Sequence, residues 1–348
     1  MMRRLLLVLA LIWPSVGAAQ YWATRAVCTV EQVKIHPQVF DPPGLGVLEA
    51  EAATYVNGTG RFWRITAPGG GASHLWGTMH ANDPAILDLP EDVIRAIDRA
   101  RIVAVETNFI FPSRRILERD RDRRDWWRPF RSAFKFESSG IDPQIIDWIR
   151  SRTHGIGMSR KTPDQLTYGG LTAMIVGDPC NDFAEGILPV QDDRIQMLGM
   201  IAGAGILGLE PVGAVTAFLD APENEPTALA ILAVYGAYLN PDATSEARAT
   251  SFALYHQGRT GLARAWDRAY LRRIFGREPG DKLLAHSDEY LLNRRNRSFL
   301  DVALADLTQG GVFAAIGNFH ISGDQGMVAL LRRAGFTVVR IPLPGEVP

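Results

Sequence analysis

The chain is poor in the features that most readily betray a function. It has two cysteines in 348 residues, too few for a disulfide scaffold or a cysteine-rich zinc site. Neither sign of charge dominates: 37 basic residues face 38 acidic ones, for a net charge of −1. That balance removes the electrostatic case for a nucleic-acid partner. Later apolar stretches such as Ala228 to Leu239 are twelve residues long. They fall short of the ~20 residues a membrane helix needs and read as buried helices, so no membrane span is expected in the mature chain. The motifs HExxH, GxSxG and GxxxxGK[ST] are all missing. This argues against thermolysin-like zinc sites, ordinary serine hydrolases and P-loop enzymes.

What is present is globular. Hydrophobic residues make up 47% and charged residues 22%, and the length fits about two domains or one large α/β domain. The N-terminus reads MMRRLLLVLALIWPSVGAAQ: two arginines, a short apolar core from Leu5 to Trp13, a break at Pro14, then small residues. This is the pattern of a secretory signal peptide over residues 1–19, cleaved near Ala18 or Ala19. The expected location is therefore periplasmic or secreted, and the mature chain carries about net −3, 35 basic residues against 38 acidic. In an oxidising compartment Cys28 and Cys180 either join in one disulfide or stay as two thiols; the sequence leaves both open.

Residues 20–60 show little periodicity and are expected to form an N-terminal arm. From Arg61 the pattern sharpens. Arg61 to Thr66 and Ser73 to Gly77 read as strands of a hairpin around Pro68-Gly69-Gly70-Gly71. Glu91 to Ala100 is helical, with Val93, Ile94, Ile97 and Ala100 on one face and Pro90 just before it. Arg101 to Val105 is a strand that ends in Glu106. The far end repeats the plan: strand Val312 to Ile316, a helix Gln325 to Ala334 capped by Asp324 and stopped by Gly335, and strand Phe336 to Ile341. Strand–helix–strand with a short crossover is a βαβ-like unit.

The predicted fold class is therefore α/β, with α+β as the variant: a mixed sheet built from two βαβ-like units at the chain ends. A large helical insertion at about 112–290 separates them within one domain, 61–348. Ile206 to Leu209 is a strand candidate in the insertion, and Ser287 to Gln309 reads as one long helix. Gly203-Ala204-Gly205-Ile206-Leu207-Gly208 matches GxGxxG, but a helix precedes it and a strand follows, so it reads as a helix-to-strand turn. The arginine-dense segment Arg114 to Arg131, interleaved with Trp126, Trp127 and Phe130, reads as a solvated helix whose acidic residues offset its charge.

The two end units share a four-residue pattern. Gly77-Thr78-Met79-His80 follows one strand and Gly317-Asn318-Phe319-His320 follows another. Glu106 sits at the same kind of place. Ligands in open α/β sheets bind at the carboxyl ends of strands, and a glycine ahead of each histidine permits close backbone approach. Two imidazoles and a carboxylate suit a divalent cation with a position left for water. Such an ion would lower the pKa of water and polarise a carbonyl. Without it, histidine and glutamate still suit acid–base work. His74, in the strand before His80, reads as structural.

These residues resemble a known family. His74-Leu-Trp-Gly-Thr-Met-His80, Leu89-Pro90 and Val103-Ala-Val-Glu106 resemble the start of the TraB/GumN family, which includes the Tiki metalloproteases. Ala315-Ile-Gly-Asn-Phe-His320-Ile-Ser-Gly323-Asp-Gln-Gly326, with Leu330-Leu-Arg-Arg-Ala-Gly335 after it, resembles that family's C-terminal motif. Leu207-Gly-Leu-Glu210 is similar to its internal "LE" strand, and Arg295-Asn296 before Phe299 to its "RN" helix. The matches run in order over residues 61–341.

The resemblance implies a divalent-metal-dependent protease that uses two GxxH motifs and a glutamate. On that footing His80, His320 and Glu106 are metal and catalytic residues, and Glu210, Arg295, Asn296, Gly77 and Gly317 belong to the surrounding pocket. The metal would be Mn, Co, Zn or Fe, and the partner a peptide or small-molecule substrate. The wider superfamily includes erythromycin-esterase-like hydrolases and haem-binding proteins, so a non-catalytic binder of haem, metal or peptide is the alternative. A homodimer is compatible with the apolar insertion helices. The sequence departs from its relatives in the arginine-rich insertion around Arg114 to Arg150 and in Ala204-Gly205, where Gly-Lys is common.

Overall fold

The computed structural model describes residues 25–108, 124–180 and 189–348. The expected signal peptide, and the part of the arginine-dense segment before Arg124, lie outside them.

Apolar runs form the strands, and turn residues end them. Before the sheet comes helix α1, Leu45–Ala52. Strands β1 (Phe62–Thr66) and β2 (Ala72–Thr78) form the expected antiparallel hairpin, with Gly70 at φ +87° in its turn, a conformation glycine adopts without steric cost. Helix α2, Glu91–Asp98, leads to β3, Ile102–Thr107. Helices α3 (Pro143–Gly155) and α4 (Tyr168–Ile175) follow. Helix α5, Gln191–Ile201, turns at Gly203 (φ +83°) into β4, Gly205–Glu210. The GxGxxG match is thus the helix-to-strand turn its context indicated. Helices α6 (Glu225–Ala237), α7 (Ser245–His256), α8 (Thr260–Phe275), α9 (Arg277–Asp288) and α10 (Arg295–Gln309) complete the helical part. The chain ends with β5 (Val312–Gly317), α11 (Met327–Arg333) and β6 (Thr337–Arg340).

The sheet has six strands in the order β4-β3-β5-β2-β1-β6. β2, β3 and β4 join β5 in a parallel block, and β1 runs antiparallel to both β2 and β6. The sheet is mixed, as expected, but neither βαβ-like unit pairs its own two strands. The C-terminal β5 inserts between β2 and β3, and β6 crosses to the edge beside β1.

Alternation distributes the strand side chains between two cores. Ala104, Ala314 and Ile316 face α10 and α11, packing with Phe299, Ala303 and Leu331. Val103, Val105, Phe313 and Ala315 face the other way, onto Val93, Ile97 and Ile195. A separate core of the insertion joins α3, α4 and α6 through residues such as Ile149, Leu171 and Leu232.

Several local expectations change. The helix expected at Ser287 to Gln309 begins earlier, at Arg277, and is interrupted by a π-helical turn at Glu289–Arg294. Asp324 is not a cap: the last helix starts at Met327 with Gly326 at its N-cap. The described part of the arginine-dense segment is a 3-10 turn, Arg124–Trp126, and not a regular helix. In residues 25–60, α1 packs Leu48 against Leu254, Leu262 and Ala265, so this stretch is more ordered than its weak periodicity suggested. Cys28 and Cys180 form a disulfide with Cα atoms 5.2 Å apart. Among the described residues no helix is long and apolar enough to cross a membrane.

Candidate functional site

Parallel strands aim their carboxyl ends at one edge, and five candidate residues arrive there by that route. His80 follows β2, Glu106 lies in β3, Glu210 ends β4, and Gly317 ends β5, with His320 in the turn after it. Arg295 and Asn296 open α10 directly after the π-helical turn. Such turns are frequent at functional sites.

Glu106 is the centre. Its Oε1 accepts the Gly317 N–H at 2.6 Å and lies 3.9 Å from His80 Nε2 and 3.7 Å from His320 Nε2. Its Oε2 accepts from Arg295 Nη2 at 2.6 Å. Burial opposes ionisation of this carboxyl, but His320, Arg295, His80 and the Gly317 N–H together hold it well below the usual carboxylate range. Arg295 also forks onto Glu210, with Nη2 and Nε at 2.5 and 3.1 Å from its two oxygens. One planar cation therefore fixes two carboxylates from adjacent strands.

The His320 ring is 95% buried, stacked obliquely on Phe299. Its Nδ1 lies 2.7 Å from Asn296 Oδ1. Asn296 Nδ2 donates to the backbone carbonyls of His320 and Gln325, which identifies the atom facing the ring as the amide oxygen. Nδ1 therefore carries the proton, and Nε2 presents its lone pair to Arg295 Nη1 at 3.4 Å, with Glu106 Oε1 beyond it at 3.7 Å. Burial first, with Arg295 adding, pushes His320 down to about 3, so the ring is neutral at pH 7.

His80 is the exposed member, its side chain 60% accessible. Its Nδ1 lies 2.8 Å from Asp192 Oδ2, and Thr78 donates its hydroxyl to the other oxygen at 2.7 Å. The Asp192 carboxylate beside it raises His80 to about 9. Two residues of the Gly-Thr-Met-His motif thus bind one carboxylate from the first turn of α5. The neighbouring Gln191 Oε1 accepts from Trp76 Nε1, the Met79 N–H and Tyr255, locking the same corner.

Asp192 was absent from the sequence expectations. Its position is legible as an acidic first helical turn, a common stabilising feature that gives no hint of the histidine it meets. Arg264 of α8 was missed as well. It pairs with Asp288 at 2.5 Å and stacks on Phe319 of the second motif, 5.3 Å from the ring centroid.

The two motif glycines do different things. A Cβ on Gly77 would meet Asn318 Oδ1 and lie 2.7 Å from Ile321 Cδ1; this position needs glycine for packing. A Cβ on Gly317 would lie 3.2 Å from Glu106 Oε1, 3.2 Å from His80 Nε2 and 3.5 Å from His320 Cδ2. The missing side chain leaves a small space ringed by two imidazoles and a carboxylate. The donor separations of 3.7 and 3.9 Å are less than twice a metal–ligand bond of about 2.0–2.2 Å. His80, Glu106 and Asp192 also offer ligand atoms that all lie within 4.8 Å of one another. The residues present therefore fit a divalent cation.

Residues 61–123 and 140–340 match the model of the TraB/PrgY/gumN family. No curated protein and no solved structure matches the chain.

Proposed function

This chain belongs to the TraB/PrgY/gumN family, and from that premise we propose that it is a secreted or periplasmic metal-dependent hydrolase that cleaves peptides at the edge formed by the two GxxH motifs. The observation that carries the reading is the space left by Gly317, faced by Nε2 of His80, Oε1 of Glu106 and the ring of His320. His80 and His320 would hold the ion through Nε2, and Glu106 through Oε1. Two imidazoles and a carboxylate suit Mn, Co, Zn or Fe. When bound, the ion supplies Lewis acidity toward water and toward a scissile carbonyl.

The chain's own residues do the rest. Asp192 and Asn296 each hold an imidazole by Nδ1 and so orient Nε2 inward, as the outer partners of metal-bound histidines generally do. Arg295 neutralises Glu106 and Glu210 and keeps Glu106 Oε2 turned from the space. Both Glu106 oxygens are already held, Oε1 by the Gly317 N–H and Oε2 by Arg295, which favours Glu106 as a fixed ligand over a mobile general base. The exposed side of His80 is where substrate would enter. The Cys28–Cys180 disulfide supports an oxidising compartment.

Elemental analysis of residues 20–348, purified without chelator, tests the reading beside the His80→Ala/His320→Ala variant. About one equivalent of metal in the wild type and none in the folded variant is expected, together with chelator-sensitive cleavage of a peptide library. A folded wild-type protein that takes up no metal on reconstitution overturns it. Glu106→Gln separates a hydrolase from a binder: a hydrolase loses turnover far more than substrate affinity.

A further inference from the structure

A cavity of about 400 Å³ opens at the other end of the sheet, between α2 and the face of β1 and β2. Its volume falls within the ~300–1,000 Å³ of small-molecule sites. It borders Ala72 and Val312, at the amino ends of β2 and β5. His74 lines it, six residues before His80. His80 follows the opposite, carboxyl end of β2, and no residue lining the cavity belongs to the candidate metal site, so the two are separate.

Its lining is flat and apolar on the sheet side and cationic on the helix side. His74 stacks on Phe62, with centroids 5.3 Å apart and planes 20° from parallel. Neither nitrogen of His74 has a hydrogen-bond partner among the described residues. Burial and the nearby Arg64 lower its pKa, so the ring is neutral and offers one donor and one acceptor. On α2, Arg95 is held by Glu91 and Asp92, which also satisfies the acidic group in the wall. The guanidinium of Arg99, one turn further along, has no ion pair or hydrogen bond among the described residues. Arg64 lies directly across the ladder from His74, on the same face of the sheet, and adds positive potential.

A half-open aromatic shelf beside an unmatched guanidinium recognises one chemistry. We propose that this cavity binds a small planar organic anion, its ring against Phe62 and His74 and its carboxylate on Arg99.

The test is a calorimetric titration of the mature chain with 2-naphthoate, with neutral 2-naphthamide as the control. We expect one saturable site with a dissociation constant near or below about 1 mM, and no saturation by the amide. Arg99→Gln should weaken naphthoate about tenfold or more, the loss of one charge-assisted pair. Ala96→Trp, which fills the cavity from α2, should abolish binding. His80→Ala/His320→Ala should leave it unchanged, so this site stands or falls apart from the metal reading. Absence of saturable binding to the folded protein overturns the proposal. So does equal binding of the amide, binding that survives both cavity variants, or binding lost with the two motif histidines.

Discussion

The Cβ that Gly317 lacks would lie 3.2 Å from Nε2 of His80, although the two residues come from different strands. Gly317 has φ −50° and ψ 137°, a backbone any residue adopts. Gly317→Ala should therefore fold, with a stability change within about 1 kcal/mol, yet place a methyl group in the space between the imidazoles. The expected result is loss of metal stoichiometry with an unchanged melting curve. A variant that retains a full equivalent of metal would show that the ion sits elsewhere.

Gly77→Ala should do the reverse. Its methyl group meets the Asn318 amide and Ile321 in a packed region, so overpacking of about 1–3 kcal/mol is expected. Chemical denaturation reads this as a lower midpoint with an unchanged slope. Unaltered stability would mean that the turn after β5 moves more freely than its packing indicates.

Asp192→Asn should weaken metal binding about 10–100-fold, the usual cost of losing the outer partner of a metal-bound histidine. Competition with a chromogenic chelator measures it directly. In the metal-free protein the same change should bring His80 down from about 9 toward its ordinary 6.5, visible in an NMR titration of the imidazole. Thr78→Val, which removes only the second donor to Asp192, should have a smaller effect of the same sign.

Asp267 gives the fold a pH dependence of its own. Burial raises it to about 6, against the hydrogen bond from Tyr238 and the charge of Arg264. Between its unfolded value of about 3.9 and 6, the folded protein holds more protons than the unfolded chain. This group therefore favours folding at low pH, and its contribution falls as pH rises through 4 to 6. At pH 7 the buried charge costs on the order of 3 kcal/mol. Asp267→Asn should flatten that slope and stabilise the protein at pH 7, measured by denaturation across the range. An identical slope in the variant would contradict the assignment.

The Cys28–Cys180 bridge spans 152 positions. Paired Ser substitutions should cost about 2–4 kcal/mol, largely through the unfolded chain. Denaturation with and without reductant should give the same difference for the wild type.

The site's strand residues were legible because each carries its own local signal. Glu106 and the two GxxH motifs directly follow apolar runs, and a strand end in an open sheet is a place of known meaning. The family-like Arg-Asn pair pointed to α10. Asp192 was hidden because its partner lies 112 residues away in sequence, and nothing in an acidic helix start predicts which strand end it will meet. Strand order was hidden for a related reason. The patterns of β5, α11 and β6 say that they form a unit, but only tertiary packing sends β6 past β2 and β1 to pair at the outer edge of β1. The π-helical turn at Glu289–Arg294 has no periodic signature either, since the apolar spacing on both sides is that of an ordinary helix.

The position of β5 has a consequence for when the candidate site can assemble. The strand that carries Gly317 and leads to His320 lies near the end of the chain, yet it occupies the middle of the parallel block, between β2 and β3. Until it is inserted, Glu106 lacks the Gly317 N–H, His80 faces no second imidazole, and β2 and β3 have no strand to join them. A nascent chain, or one shortened before β5, lacks Gly317 and His320 and cannot assemble the candidate site. Synthesis order thus acts as a latch: the candidate site closes only once β5 and the turn after it have been delivered and folded.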